Sequence, residues 1–544
     1  MCYLLITVIV TIKMTMEHSP NPIELSLFSS RIESICDEMG AALKRAAFSP
    51  NIKDRLDFSC AVFDAKGLLC AQAAHIPVHL GSMAYAMESI VAQVQWQEGD
   101  MIVVNDPYMG GTHLPDVTVI APLFVAGHLV AFVANRAHHA NIGATAPGSM
   151  PVSRTLQEEG VVISPTHIVR QGQQQHSVLE RLAGLEAGTL ENAHGQLTPG
   201  QRASVGDFTA QISANRIGAK RLHGLIERYG VQGYVALVNS LNDYAETLAL
   251  NSLQAIPNGR YRFEDVLDDD GAGTANIPIV ATIDVANGAI EVDFDGTSAQ
   301  VAGNVNCPLS VAAAAVFYCF RCLMPDQMPV CAGAFRPIHL KAQPGSLLNA
   351  LFPAAVAAGN VETSTRLVDV ILGALAQAIP ERIPAASHGT MNNVAMGWAD
   401  GDASWDYYET MAGGMGASDQ AAGLSAVQTH MTNTLNTPVE SLESHYPLQV
   451  NRYEVRRGSG GAGKHCGGDG LVREIQFKQP ACVTLLTERR HSRPWGLQGG
   501  SAGASGLNQL NQQTLEAKTT FNVKPGDVLT VATPGGGGWG DAKS

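Results

Sequence analysis

Two histidines and one aspartate between residues 113 and 138 have the types and spacing of metal ligands. His113 and Asp116 lie three residues apart in a loop rich in glycine and proline, directly after an apolar segment, 101–104. A second β-rich segment, 129–135, leads to His138. If this segment pairs in a hairpin with the strand before it, His138 returns close to His113. The sequence thus predicts a cluster of two imidazoles and one carboxylate.

Such a cluster leaves coordination positions open for water or substrate. This is typical of catalytic Zn, Mn or Fe rather than of a closed structural site. A divalent ion of this kind brings the pKa of a bound water close to neutrality and makes it a nucleophile. The spacing His-x-x-Asp is also common in turns that bind no metal, so the pattern alone leaves a structural role open.

Three neighbouring polar residues are candidates for supporting roles. Asn105 and Asp106 precede the loop, and His139 directly follows His138. Each is a candidate for a group that orients a metal ligand. The sequence Asn105-Asp106-Pro107 is also a turn signal by itself.

Two further histidines, His75 and His79, lie in an apolar segment where polar side chains need partners. They are either core histidines with satisfied hydrogen bonds or members of the site. The residues around them do not decide between the two.

The rest of the chain predicts a mixed α and β protein. Helical spacing of apolar residues from Pro22 to Ala47 indicates an amphipathic helix. Short β-rich segments separated by Gly, Pro and Asp then predict a sheet with functional loops. The predicted strands are 58–63, 101–105, 117–124 and 129–135.

Later segments predict further layers. Residues 204–253 have the spacing of two or more helices that cover a sheet, and 261–301 are typical of strands. Pro278 suggests that one of these is an edge strand. The predicted buried helices are 311–324 and 364–379.

We therefore predict a multi-domain α/β fold. Its expected parts are a non-native or disordered start (1–21), an N-terminal α/β region with the candidate metal site (22–255), a central α/β region (256–450) and a β-rich, glycine-containing C-terminal region (451–544).

Composition excludes several classes of function. The formal net charge of -14 disfavours nucleic-acid binding because a phosphate backbone would be repelled. Ten cysteines without regular spacing fit buried thiols in a reducing cytoplasm, and we expect the pair Cys319 and Cys322 to be structural. The apolar first thirteen residues are too short to span a bilayer and lack a basic region and a cleavage site. We expect a cytoplasmic protein without a membrane segment.

One segment partly matches a nucleotide-binding loop. Gly458 to Lys464 has most of the P-loop pattern, but His465 replaces the Mg-binding Ser or Thr, and glycines follow where a helix should begin. We interpret the segment as a glycine-rich turn. This chain then has no nucleotide site of its own.

Seven blocks of sequence, in order, resemble the hydantoinase B / 5-oxoprolinase family. The resemblance runs from about Pro22 to Gly540. The blocks are Arg55-Leu-Asp-Phe-Ser-Cys-Ala-Val-Phe-Asp64, His75-Ile-Pro-Val-His79-Leu-Gly-Ser-Met83, Asn105-Asp-Pro through Gly-Gly-Thr-His113-Leu-Pro-Asp116, Gly359-Asn-Val-Glu362-Thr-Ser364, Gly389-Thr-Met-Asn-Asn393, Ser459-Gly-Gly-Ala-Gly-Lys464 and Pro534-Gly-Gly-Gly-Gly538.

The resemblance implies both ligands and a partner. In the family pattern His113, Asp116 and His138 are metal ligands, and Asp57, rather than Asp54, is our candidate for a further carboxylate ligand. Members pair with, or are fused to, a hydantoinase A-type ATPase subunit. ATP and Mg are therefore expected on that partner, in a hetero-oligomer, while this chain holds Zn, Mn or Fe.

The chemistry that the resemblance implies is the opening of a small cyclic amide such as a hydantoin, 5-oxoproline or a lactam, as in N-methylhydantoinase. The ATPase would phosphorylate the amide oxygen, and metal-activated water would then attack, with Asp106 or His139 relaying the proton. Glu362 is a candidate substrate or interface contact. Asn105, His75 and His79 are candidates for substrate binding or ligand support.

Two alternatives stay open. The related acetone and acetophenone carboxylases share the architecture, so this chain could be a subunit of an ATP-dependent ketone carboxylase. It could also be a non-catalytic scaffold for the ATPase subunit. The compact length of the chain favours the amide hydrolase over the carboxylase, and its full set of polar loop residues argues against a scaffold.

Overall fold

The first helix, α1 (Pro22–Ala46), begins where the sequence predicts it. The computed structural model describes residues 21–73, 75–191, 197–400 and 403–542. Asn21 caps α1 by accepting a hydrogen bond from the backbone N–H of Ile23, and Pro22 suits the first turn because no N–H is needed there. Of the predicted non-native or disordered start, 1–21, only Asn21 belongs to the described part of the chain, and the prediction stays a prediction.

A seven-stranded antiparallel sheet follows. Its strands are β1 (Phe58–Asp64), β2 (Leu69–Gln72), β3 (Met101–Val104), β4 (Asp116–Val125), β5 (His128–His138), β6 (Thr166–Arg170) and β7 (Gln173–Gln174). Their order in space is β2-β1-β5-β4-β3-β6-β7. All four predicted strands are confirmed.

Helices cover both faces of this sheet. They are α2 (Pro50–Lys53), α3 (Pro77–Ala92), α4 (His176–Leu182) and α5 (Pro199–Leu253). Alternate residues of β1 point to opposite faces: Val62 packs in a core that includes α1 and α5, and Phe63 packs against α3. The two helices predicted in 204–253 are confirmed, because Gly230, with φ of 71°, interrupts α5.

A second, four-stranded sheet contains β8 (Gly259–Asp269), β9 (Ala275–Ala286), β10 (Ala289–Asp293) and β11 (Ile338–Lys341), in the order β11-β10-β9-β8. The edge strand predicted from Pro278 is wrong, because β9 lies between two strands. Its pairing with β10 ends at Thr282, however. The missing N–H of Pro278 therefore leaves no gap in that ladder.

Two buried helices confirm the predictions for the middle of the chain: α6 (Leu309–Arg321) and α7 (Ser364–Leu375). A π-helical turn, Gly359–Thr363, leads directly into α7. A further α-helix in the described ranges is α8 (Val439–His445). None of the helices in the described ranges is long and apolar enough to cross a membrane.

The C-terminal part is rich in β-strands. One sheet, in the order β13-β12-β16-β19, combines β12 (Asn393–Asp400) and β13 (Ala403–Glu409) with β16 (Ala481–Leu486) and β19 (Lys518–Val523). The other, in the order β14-β15-β20-β17-β18, contains β14 (Leu448–Arg456), β15 (Gly470–Phe477), β17 (Leu507–Leu510), β18 (Gln513–Thr514) and β20 (Val528–Ala532). Strand β14 crosses the predicted boundary at 450, and the division into domains stays a prediction.

The glycine run 535–538 is packed inside this part of the protein. Its four N–H groups donate to carbonyl oxygens of three different segments, those of Ala386, Gly468 and the pair Ser501 and Ala504. Gly461, within the P-loop-like segment, donates its N–H to the carbonyl oxygen of Gly536. The segment that we interpreted as a turn therefore uses backbone groups for packing between glycine-rich stretches.

Candidate metal centre

A hairpin positions two of the three predicted ligands. Asp116 begins β4 and His138 ends β5, and the two residues lie directly opposite each other. A bulge between Leu123 and Phe124 shifts the register by one residue. Without this shift Asp116 would lie opposite Ala137, and the His138 side chain would point to the other face of the sheet.

Asp116 is fully buried among three histidines. Its Oδ1 lies 3.1 Å from His113 Nε2 and 3.1 Å from His138 Nδ1. Its Oδ2 lies 3.1 Å from Nε2 of His79, which comes from the first turn of α3. The structure thus brings the three predicted ligands together and adds His79 to them.

Two further residues hold the Asp116 carboxylate. Thr112 Oγ1 donates to its Oδ2 at 2.7 Å, and Asn360 Nδ2 donates to the same oxygen at 3.2 Å. Asn360 lies in the π-helical turn 359–363, far from Asp116 in sequence. These bonds orient the carboxylate, as groups around a metal ligand commonly do.

The nitrogen atoms of the two histidine ligands fit a cation. His113 Nδ1 lies 3.2 Å from the carbonyl oxygen of Ala357, to which it can only donate. The hydrogen of a neutral His113 ring is therefore on Nδ1, and Nε2, which faces Asp116, has a free lone pair. Nε2 of His113 and Nε2 of His138 are both buried and without a hydrogen-bond partner. His113, Asp116 and His138 each offer one ligand atom within 4.8 Å of the others. This donor set suits a first-row divalent ion.

The pKa shifts in the site result from burial opposed by neighbouring charges. Burial alone would raise the pKa of Asp116, but His113 and His79 outweigh it and hold that pKa well below its ordinary range. Burial alone would lower the pKa of His113, but the carboxylate of Asp116 outweighs burial, and the pKa of His113 is raised. Burial lowers the pKa of His138. A carboxylate and a neutral imidazole are the protonation states that bind metals.

Asp57 lies at the edge of this cluster, immediately before β1. Its carbonyl oxygen accepts the backbone N–H of His138 at 3.0 Å. Its carboxylate lies 3.9 Å from His79 Nε2 and 3.9 Å from Arg55 Nη2. Asp57 therefore faces the site, and its role as a fourth ligand stays a prediction.

The ligands line a pocket with about 280 Å³ of empty space, including the solvent at its mouth. The lining combines polar residues, among them the ligands and three threonines, with apolar residues. Its polar lining residues are Asp57, His79, His113, Asp116, His138, Asn360, Tyr408, Thr410, Thr432 and Thr434. Its apolar lining residues are Ile76, Val78, Val361, Met391 and Met431.

A family model described as hydantoinase B/oxoprolinase matches residues 21–542. The chain belongs to this family. It is 41% identical to 5-oxoprolinase 1 of Arabidopsis thaliana, over 96% of this chain and 42% of that protein. It is 30% identical to a putative B-type subunit of a D-/L-hydantoinase from a Pseudomonas species, over 96% and 90% of the two chains. The chain spans about two fifths of the length of the 5-oxoprolinases that it matches.

Two solved structures have the same fold as this hydantoinase B-family chain. The ATP-dependent caprolactamase from Pseudomonas jessenii has a TM-score of 0.86 at 26% identity, over 96% of this chain and 91% of that one. A nucleotide-free acetone carboxylase has a TM-score of 0.84 at 18% identity, over 96% and 76%. The second likeness concerns the fold alone.

Asn105 and Asp106 shape the loop that carries His113. The Asn105 side chain donates to the carbonyl oxygens of Leu114 and Val161 and accepts the N–H of Ile163. Asp106 accepts the N–H of Tyr108 and caps a short helical turn. Neither residue lines the pocket. The support predicted for Asn105 thus acts through the loop backbone.

His139 and His75 also lie outside the pocket. The ring of His139 stacks on Phe208, and its Nε2 lies 2.9 Å from Gln211 Oε1. His75 Nδ1 accepts the N–H of Cys60, and burial lowers the pKa of His75 to about 4. Both histidines therefore have partners in the core, and the catalytic role expected for Asp106 and His139 stays a prediction.

Glu362 is fully buried behind the pocket wall. Its Oε1 accepts from the backbone N–H of Met391 and from Asn393 Nδ2. Burial raises the pKa of Glu362 to about 7. The side chain does not line the pocket, so its predicted contact with substrate would have to be indirect.

Several residues of the site were missed in the sequence. Tyr408, Thr410, Thr432 and Thr434 come from β13 and from the loop after it, and Asn360 from the π-helical turn. The only available signal was the density of polar residues between 428 and 437.

Proposed function

We propose that this chain is the hydantoinase B-type component of an ATP-dependent cyclic amide hydrolase and acts beside a separate hydantoinase A-type ATPase subunit. One observation carries the proposal: His113, Asp116 and His138 are buried, offer ligand atoms within 4.8 Å of one another and line one pocket. The names of the relatives, which include 5-oxoprolinases and a caprolactamase, support cyclic amides as the substrate class.

An unstrained amide resists water because resonance makes its carbonyl carbon a poor electrophile. Phosphorylation of the amide oxygen on the ATPase subunit removes that resistance and creates a leaving group. His113, Asp116 and His138 would hold Zn, Mn or Fe, which supplies a Lewis acid and lowers the pKa of water. Attack by water on that carbon and loss of the ring nitrogen would open the ring and leave an acyl phosphate, which a second water would hydrolyse to a carboxylate and free phosphate.

The proton of the attacking water needs a base beside the ligands. His79 and Asp57 are the candidates, because both line the pocket and their side chains lie 3.9 Å apart. His79 Nε2 lies 3.1 Å from Asp116 Oδ2 and therefore carries a hydrogen. The Asp57 carboxylate would then accept the proton and pass it to the ring nitrogen that leaves the carbonyl carbon. In this proposal His79 and Asp57 replace Asp106 and His139, whose side chains lie outside the pocket.

The test is a metal analysis and an activity assay on the purified complex. The chain is co-expressed with its ATPase subunit, and ring opening of hydantoin, 5-oxoproline and a series of lactams is measured with and without ATP. We expect bound divalent metal and ring opening that requires ATP. Bound metal without ring opening, together with ATP turnover stimulated by a ketone and bicarbonate, would instead identify a carboxylase.

A further inference from the structure

A chain of hydrogen bonds runs from a buried arginine to the wall of the pocket. Arg55 is fully buried, and its Nη2 donates to Thr410 Oγ1 at 3.2 Å. A guanidinium group can only donate, so the direction of this bond is fixed. Gln428 Nε2 donates to the same oxygen, also at 3.2 Å.

These two donors decide where the Thr410 hydroxyl hydrogen points. A hydroxyl oxygen has two lone pairs and one hydrogen. Arg55 and Gln428 occupy both lone pairs of Thr410 Oγ1, and Thr434 Oγ1 lies only 2.8 Å away. Thr410 therefore donates to Thr434.

The count leaves more freedom at the next step. Thr434 accepts from Thr410, so one lone pair and one hydrogen of its hydroxyl remain for Thr432 Oγ1, 3.3 Å away. The backbone N–H of Thr434 donates to the same oxygen, at 3.4 Å. The hydrogen bonds of the Thr432 hydroxyl within the described residues are therefore all with Thr434. One hydroxyl hydrogen bridges the two threonines, and the other is left for a molecule in the pocket, which both residues line. The free hydrogen is that of Thr432 when Thr434 donates to Thr432.

We propose that the Thr432 hydroxyl donates a hydrogen bond to the carbonyl oxygen of the cyclic amide. Thr432 is buried and lines the same pocket as His113 and Asp116. The chain that begins at Arg55 orients this hydroxyl before substrate arrives, so little ordering is needed on binding. A donor fixed in this way selects for an oxygen acceptor and against groups that lack one. The inference rests on the proposed function, whose substrate it positions.

Threonine-to-valine substitution tests the donor because it keeps the shape of the side chain and removes the hydroxyl. In the complex with the ATPase subunit, we expect Thr432→Val to lower kcat/KM for ring opening three- to tenfold, the loss of one neutral hydrogen bond. Thr432→Ser should stay within twofold of wild type. Thr434→Val should cost less than Thr432→Val, because the Thr432 hydroxyl stays but is free to rotate.

Thr437→Val is the matched control. Thr437 is equally buried in the same loop but does not line the pocket, so its kcat/KM should equal that of wild type. Thr432→Val with unchanged kcat/KM would overturn the inference, as would an equal loss in Thr437→Val.

A binding measurement separates this inference from the proposed function. Binding of 2-pyrrolidone to the full chain is measured by calorimetry without ATP. A wild type that opens no ring in the panel can still bind 2-pyrrolidone. If Thr432→Val then weakens that binding three- to tenfold, the proposed reaction is wrong, but the Thr432 hydroxyl is a hydrogen-bond donor to the amide. No binding by wild type, or equal binding by the variant, overturns the donor.

Discussion

The ring of Tyr408 stacks on the imidazole of His138, with centroids 4.8 Å apart and planes inclined by 12°. Tyr408 is itself held in place. Its hydroxyl donates to Asn393 Oδ1 at 2.7 Å, and the guanidinium of Arg55 lies 4.9 Å from its ring centroid. A residue from a distant part of the chain therefore fixes the ring plane of a candidate metal ligand.

Removal of the Tyr408 ring should weaken metal binding. Tyr408→Leu leaves the His138 ring free to rotate, and loss of a group that orients a ligand typically costs 10–100-fold in metal affinity. We expect a change of this size in chelator competition, and a changed visible spectrum of the cobalt-substituted protein. Tyr408→Phe keeps the ring and should restore both to near wild type.

Tyr407→Leu provides the control for Tyr408→Leu. Tyr407 is equally buried on the same strand but packs in the C-terminal core. Its replacement should lower the melting temperature and leave metal affinity unchanged. Equal loss of metal affinity in both variants would show that Tyr408 acts only through stability.

His138→Ala should remove most of the bound metal. It deletes one of the three donors that converge in the site, so we expect less than a tenth of the wild-type metal content by mass spectrometry. The control is His128→Ala, because His128 begins the same strand and is exposed. A His138→Ala protein with full metal content would refute the proposed centre.

Glu362 should make stability depend on pH. Burial raises its pKa from 4.5 to about 7. Between these values the folded protein keeps a proton that the unfolded chain has lost, so the free energy of unfolding falls as pH rises through this window. Relative to Glu362→Gln, which cannot ionise, wild type should lose about 2–3 kcal/mol between pH 5 and pH 8.

Urea unfolding at the two pH values measures this difference. Glu98→Gln is the control, since Glu98 is exposed, and its difference from wild type should not change between pH 5 and pH 8. A Glu362→Gln profile parallel to that of wild type would show that Glu362 is ionised in the folded protein throughout this range.

The glycine run should tolerate no side chain. A Cβ atom at Gly536 would lie 2.1 Å from the carbonyl oxygen of Met415. Because that atom is backbone and cannot move aside, we expect Gly536→Ala to cost at least about 3 kcal/mol of stability or to prevent folding. Gly224→Ala should instead stabilise by about 0.5–1 kcal/mol, because Gly224 lies in helix α5 with open space around it. Thermal unfolding compares the two.

Local sequence pattern was enough to predict many of the helices and strands. Helical spacing located α1, and alternating apolar residues between turn signals located β1, β3, β4 and β5, because these signals depend on neighbours in sequence. The prediction from Pro278 failed because it required knowing where the adjacent strand β10 ends. That information lies in tertiary pairing.

The sequence by itself determined the family and the donor types of the site: His113, Asp116 and His138 are chemically able to bind a metal wherever they lie. Only the tertiary structure decided that they meet, because the bulge at Leu123 and Phe124 sets the face on which His138 emerges. The tertiary structure also decided which of His75 and His79 belongs to the site, since only His79, at the start of α3, lines the pocket.

The residues that support the site could also be identified only from the tertiary structure. Asn360, Tyr408 and Thr432 reach the pocket from segments far along the chain. Apart from the density of polar residues between 428 and 437, no local pattern marks them, because threonine, asparagine and tyrosine are ordinary residues of loops and strands. Their role comes from packing that buries distant polar groups together, where each must find a partner.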